Sequence, residues 1–169
     1  MLNPLPSLAF SAVVAGAALF PGSALAGDAF RIEFVEPERF TDAHLDSYSH
    51  GVDQRVLRSL KQHLQSLAKR CLHGNQALDI QVLDIDLAGH QEWWGHRGAH
   101  DLRVMRDITW PRIDLDYTLR TGDGQIKKDR ERVSDMHYLW KSAYMRSDST
   151  LLPYERAMLT TWFERRFCR

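Results

Sequence analysis

The residues most able to do chemistry are acidic pairs spaced for one face of a strand, and a cluster of histidines and tryptophans. Asp84/Asp86 and Asp114/Asp116 are each two apart, and Asp135 lies near Asp129 and Glu131. Residues i and i+2 of a strand face the same side, so each Asp pair can present two carboxylates together. Such a pair suits a hard cation such as Ca²⁺, or general acid–base work. Asp114 and Asp116 have a competing structural role opposite Arg132 and Arg130, described below. Asp84 and Asp86 interrupt an apolar run and lead into a glycine-rich stretch. They could cap backbone donors, pair with Arg103 or Arg112, or bind metal.

That stretch, Gly89 to His100, holds His90, His96, His100, Glu92, Trp93, Trp94 and Arg97. A metal-dependent hydrolase would use Asp84, Asp86, His90, His96 and His100. The histidine spacing does not match a His-Glu-x-x-His zinc motif, and Gly95 and Gly98 argue against a helix there. The preferred reading is a binding surface of Asp84, Asp86, Trp93, Trp94, His96 and Arg97, in which the tryptophans offer amphipathic contact area to a protein, peptide or glycan. The plain alternative folds the tryptophans over the sheet and leaves the histidines solvated. Neither Gly-x-Ser-x-Gly nor a phosphate-loop pattern occurs, so nucleophilic catalysis has little support. His44, His50, His63, His73 and His137 read as exposed or helix-end residues. No catalytic residue or cofactor is assigned, and enzymatic activity is disfavoured.

The elements that must carry these residues follow from pattern. Phe30, Ile32 and Phe34 alternate with Arg31 and Glu33, predicting a half-buried strand that Pro37 stops. From Asp53, Val56, Leu57, Leu60, Leu64, Leu67, Ala68 and Cys71 form one helical stripe, with Asp53 as cap and Gly74 as stop. Ala77 to Leu87 reads as a second strand whose apolar parity flips between Val82 and Leu83, as in a central strand or at a bulge. Ile113, Leu115, Tyr117 and Leu119 alternate in a third. The Thr121-Gly122-Asp123-Gly124 turn leads to a charged fourth strand, Gln125 to Val133, a composition that guards a sheet edge. A three-residue loop, Gly122 to Gly124, sets Asp116 opposite Arg130, Asp114 opposite Arg132 and Ile113 opposite Val133; other loop lengths face like charges or a leucine with an arginine. A helix is predicted from Ser134 or Asp135, with Met136, Leu139, Trp140, Ala143 and Tyr144 inward, and a last helix from Pro153 burying Ala157, Met158 and Trp162, with Phe167 a further candidate. The expected fold is α+β: an antiparallel sheet of about four strands with three helices mainly on one face, order β-α-β-β-β-α-α, whose first connection is a right-handed crossover.

Composition bounds the rest. The chain has 169 residues, 22 basic and 22 acidic, with 44% hydrophobic and 26% charged residues. Its charge balance argues against a general nucleic-acid binder, and its aromatics and ordinary charge fraction argue against disorder. No charged side chain precedes Asp28. Leu8 to Phe20 is about the length of a signal-peptide core and too short to span a bilayer, and Ala24-Leu25-Ala26 is a cleavage pattern. The expectation is a cleaved leader over residues 1–26 and one globular domain over 27–169, exported to the periplasm and monomeric. In that oxidising space Cys71 and Cys168 can join, each at a predicted helix end. The alternative is two buried thiols.

Several segments occur in a telling order: Phe-Val-Glu-Pro-Glu-Arg-Phe-Thr-Asp (34–42), Asp-Ile-Asp-Leu-Ala-Gly (84–89), Trp-Pro-Arg-Ile-Asp-Leu-Asp-Tyr (110–117), Ser-Asp-Met (134–136) and Tyr-Glu-Arg-Ala-Met-Leu with Trp162-Phe163 (154–163). Together they resemble a family of exported bacterial proteins known as domain of unknown function 3016. The resemblance implies an exported single-domain protein of Gram-negative bacteria and brings no activity, cofactor or catalytic residue with it. The expected role is a binding module of the cell envelope.

Overall fold

The computed structural model describes residues 29–46, 51–92, 103–141 and 150–168. Strand β1 (Phe30–Phe34) is followed by helix α1 (Gln54–Cys71) and the long strand β2 (Ala77–Asp86). A two-residue ribbon, β3 (His90–Gln91) with β4 (Arg103–Val104), leads to β5 (Arg112–Arg120), β6 (Ile126–Ser134) and helix α2 (Pro153–Phe167). The main sheet has the order β1-β2-β5-β6.

Two features correct the expected α+β architecture. The sheet is mixed: β1 runs parallel to β2, with Phe30 opposite Leu78 and Phe34 opposite Val82. A helix returning the chain to a neighbouring strand forces those strands to run parallel, so the expected crossover and an all-antiparallel sheet were incompatible. The described residues also hold two α-helices and not three. The segment from Asp135 forms a single 3₁₀ turn at Tyr138–Lys141. Asp135 N–H bonds Pro111 O and Asp135 O accepts Tyr138 N–H, which pins the chain into a tight turn as it leaves β6. Met136 and Trp140, expected inward, are 59% and 84% exposed, and Tyr138 is the buried anchor instead.

Helix α1 forms as its stripe predicts. Asp53 accepts Arg55 N–H at 2.7 Å as the cap, and all seven stripe residues from Val56 to Cys71 are buried. They meet Leu78, Ile80, Val82 and Ile85 of β2 and Ile113, Leu115 and Tyr117 of β5 in one core. Each fully buried aliphatic side chain there contributes about 1.5–3 kcal/mol. The parity flip in β2 is a bulge: the register with β5 shifts between Val82 and Asp84. This returns Ile85 to the core and keeps Asp84 and Asp86 off it. The β5–β6 hairpin has the three-residue loop, with Asp114 opposite Arg132 and Asp116 opposite Arg130.

Helix α2 packs beside α1. Its buried side carries Met158, Leu159, Trp162, Phe163 and Phe167, and Ala157 is only half-buried. Phe167 meets Phe163, Tyr117 and Trp162 with ring centroids 4.8, 5.2 and 5.4 Å apart. Trp162 Nε1 donates to Glu131 of β6 at 3.0 Å. His63 belongs to this helix seam: its Nε2 lies 2.9 Å from Arg156 O and Thr160 Oγ1, and burial lowers its pKa. The helix ends are joined by a disulfide between Cys71 and Cys168, with Cα atoms 4.4 Å apart and a sequence separation of 97.

Closing so long a loop removes much freedom from the unfolded chain. Cys168→Ser is expected to lower the unfolding free energy by about 2–5 kcal/mol in urea titrations, and reductant should do the same to the native protein. Equal midpoints with and without reductant would show that the bridge carries no such load.

Candidate functional site

The helices cover one face of the sheet, and the other carries charge. Past the bulge, Asp84 accepts hydrogen bonds from Thr41 N–H and Thr41 Oγ1, both at 2.7 Å. Asp86 receives a fork from Arg112, whose Nε lies 3.0 Å away and whose Nη2 completes the ion pair. The Arg112 guanidinium in turn sits 5.6 Å from the Trp110 ring centroid. Arg132 and Arg130 grip Asp114 and Asp116 through paired bonds of 2.6–2.7 Å. These bonds hold both carboxyls below the usual aspartate value. Thr41, Asp84, Asp86, Arg112, Asp114 and Arg132 line a shallow cleft of about 150 Å³.

Asp84 and Asp86 therefore take two of the roles open to them: Asp84 caps Thr41 and Asp86 pairs with Arg112. A cation entering the cleft would have to displace Thr41 or an arginine. Among the described residues no group of three or more His, Cys, Asp or Glu side chains is placed to hold a metal ion. His90 is exposed at the start of β3, opposite Val104. Trp93, Trp94, His96, Arg97 and His100 lie outside the described residues.

The root of that segment is built by residues the sequence did not single out. Arg103, read there only as a partner for Asp84 or Asp86, binds Asp42 instead, through Nη1 at 2.8 Å and Nη2 at 3.0 Å. The same guanidinium donates to the carbonyls of His44, Ala88 and Gly89. Asp42 is bridged to Asp86, with its N–H on Ile85 O and its carbonyl taken by Leu87 N–H. Arg103 thus ties the end of β2 to the chain leaving β1. Glu155, in the first turn of α2 and 2% exposed, accepts Ala88 N–H at 2.7 Å. Gly89 sits at φ +77°, where a Cβ would lie 2.6 Å from Met105 Sδ and 2.8 Å from Val104 O. The turn has no room for a side chain.

A second chain of bonds runs outward from this root. Glu92 pairs with Arg106, and Arg106 O accepts the Tyr138 hydroxyl at 2.8 Å. The turns so joined expose Ile108 (70%), Met136 and Trp140, with His137 and Trp140 stacked edge to face. The sequence pattern hid them, because Met136 and Trp140 also fit an inward helical stripe.

Burial pushes the Glu155 carboxyl above its ordinary value of 4.5. Stability from a raised carboxyl is complete below pH 4.5 and is lost as pH climbs through the raised value. Asp114 and Asp116 act oppositely: their contribution is present above 3.8 and is lost as pH falls through their lowered values. Glu155→Gln keeps an acceptor for Ala88 N–H without the buried charge. Urea titrations should show its stability relative to wild type flat below pH 4.5 and growing as pH rises above it. A pH-independent difference would contradict this placement of the carboxyl.

No curated protein and no solved structure matches the chain. One family does, over residues 28–165, and its description is protein of unknown function. The match takes in β1 through most of α2, and with it Asp42, Arg103, Glu155 and the carboxylate face, so the chain belongs to the DUF3016 family.

Proposed function

We propose that this protein is an exported interaction module of the periplasm, contacting an envelope protein at the end of the sheet where β2 gives way to the 93–102 segment. The contact surface comprises Asp84, Asp86, Trp93, Trp94, His96 and Arg97, together with Ile108, Met136 and Trp140. One observation carries the reading: three large apolar side chains are exposed on turns bonded, through Arg106 and Tyr138, to the base of the tryptophan segment. Large apolar groups left exposed on adjoining turns mark contact surfaces, and tryptophan and methionine are typical of them.

The apolar, uncharged stretch before Asp28 supports the periplasmic part of the reading, as does the Cys71–Cys168 bridge, which suits an oxidising compartment. Among the described residues no helix is long and apolar enough to cross a membrane. No specific feature favours hydrolysis, since Asp84 and Asp86 are engaged by Thr41 and Arg112.

A photo-reactive residue at position 140 tests the surface in living cells, with one at exposed Lys127 on β6 as control. Position 140 should yield discrete adducts in the periplasmic fraction and position 127 none, on a protein whose N-terminus is Gly27. Adducts at neither site, or equally at both, would refute the surface. A protein beginning at Met1 in the cytoplasm would refute the location.

A further inference from the structure

The two edges of the main sheet are treated differently. Edge strand β6 is heavily charged, and its exposed Arg130 N–H is already capped by the Asp129 carboxylate at 2.9 Å. Placed antiparallel to a second copy with like faces aligned, its open-face residues Lys128, Arg130 and Arg132 would meet one another. These are the means by which proteins close an edge.

Edge strand β1 is guarded less, with one charge of each sign, Arg31 and Glu33, on its exposed face. It bonds β2 through alternate residues: Ala29 O accepts Leu78 N–H and Val35 N–H donates to Val82 O. In a parallel ladder this phase turns the N–H and C=O groups of Phe30, Ile32 and Phe34 outward. Their side chains lie half-buried against the core, and among the described residues no strand pairs with this edge. Beside it runs a groove of about 370 Å³ lined by Ala29, Phe30, Gln65, Ala68, Lys69 and Leu72, so that α1 forms its far wall. Helix α1 contains five basic residues and no acidic one in Gln54–Cys71. At the Phe30 end, Lys69 lines this groove and has no ion-pair partner among the described residues.

From this geometry we infer that β1 is a docking edge for an extended peptide of a partner protein. The peptide adds as a fifth strand, sets alternate apolar side chains into the groove against Phe30, Ala68 and Leu72, and places a carboxylate on the groove side beside Lys69. Backbone bonds to Phe30, Ile32 and Phe34 supply the affinity, and the groove with its Lys69 cation supplies the selection. A basic peptide is rejected by Lys69 and the basic face of α1. This site is separate from the tryptophan surface and can fail or stand without it.

The test uses the full chain and a dye-labelled eight-residue peptide alternating valine and threonine, with glutamates at one end. The control peptide carries lysines in place of the glutamates. The acidic peptide should slow amide exchange at Phe30, Ile32 and Phe34 and leave Arg130 unchanged. It should bind at least tenfold more tightly than the basic one, and Lys69→Glu should remove that preference. Ile32→Pro deletes an outward N–H without taking a bond from β2, and should abolish binding. If that variant fails to fold, an acidic peptide N-methylated at alternate residues replaces it and should not bind. Equal affinity for both peptides, or no protection at β1 with millimolar peptide, would overturn the proposal. So would exchange at β1 already slow without peptide and unaltered by it, which would mean that the chain's own residues occupy the edge.

Discussion

The Arg103–Asp42 pair is the constraint on which the functional end of this molecule depends. Its side chains are 14% and 15% exposed, so both charges have left most of their water. Such a pair adds little over an apolar substitute, but removing one partner strands the other at a cost of about 3–5 kcal/mol. What the pair provides is position. A single planar guanidinium reaches Asp42 and three backbone carbonyls from separate parts of the chain. Glu155 closes the same turn from the helix side by taking Ala88 N–H. The chain after β2 is thereby fixed by one strong donor and one buried acceptor, around a turn where Gly89 leaves no room for a side chain.

The sheet divides the labour. Its covered face is a continuous core with α1 and α2, stapled at their ends by the disulfide. Its open face is polar, and there aspartates at i and i+2 serve cross-strand pairing and capping. Carboxylate clusters of this kind attract a metal reading in a sequence, and the geometry shows the arginines arriving first: each of Asp86, Asp114 and Asp116 meets one across a strand boundary. With the open face thus self-satisfied, interaction falls to the ends and edges of the sheet.

Much of this was legible in the sequence wherever the signal was local. The α1 stripe, the Asp53 cap, the β2 bulge and the hairpin register could be read because periodicity and charge alternate over a few residues. The direction of β1 is not in its own alternation, since Phe30, Ile32 and Phe34 alternate identically in parallel and antiparallel strands; it lies in the helical connection to β2. The segment after Ser134 misled because Met136, Leu139 and Trp140 have helical spacing, yet a bond from Asp135 to Pro111 decides the local geometry. Asp42–Arg103 and Glu155–Ala88 were missed because each joins positions more than sixty residues apart. Glu155 stands in the sequence simply as an acidic residue near a helix start, and only the packing of α2 against the turn reveals its burial.

Native-state hydrogen exchange on Arg103→Leu addresses this account most directly, since leucine keeps the apolar stem of the side chain and deletes every bond of the clamp. The account predicts that the amides of Asp42, Leu87 and Gly89 lose protection, while those of Leu78 and Ile80, deep in the β1–β2–β5 ladder, keep theirs. Unchanged protection at Asp42, Leu87 and Gly89 would contradict it, for the end of the sheet would then be held by something other than Arg103.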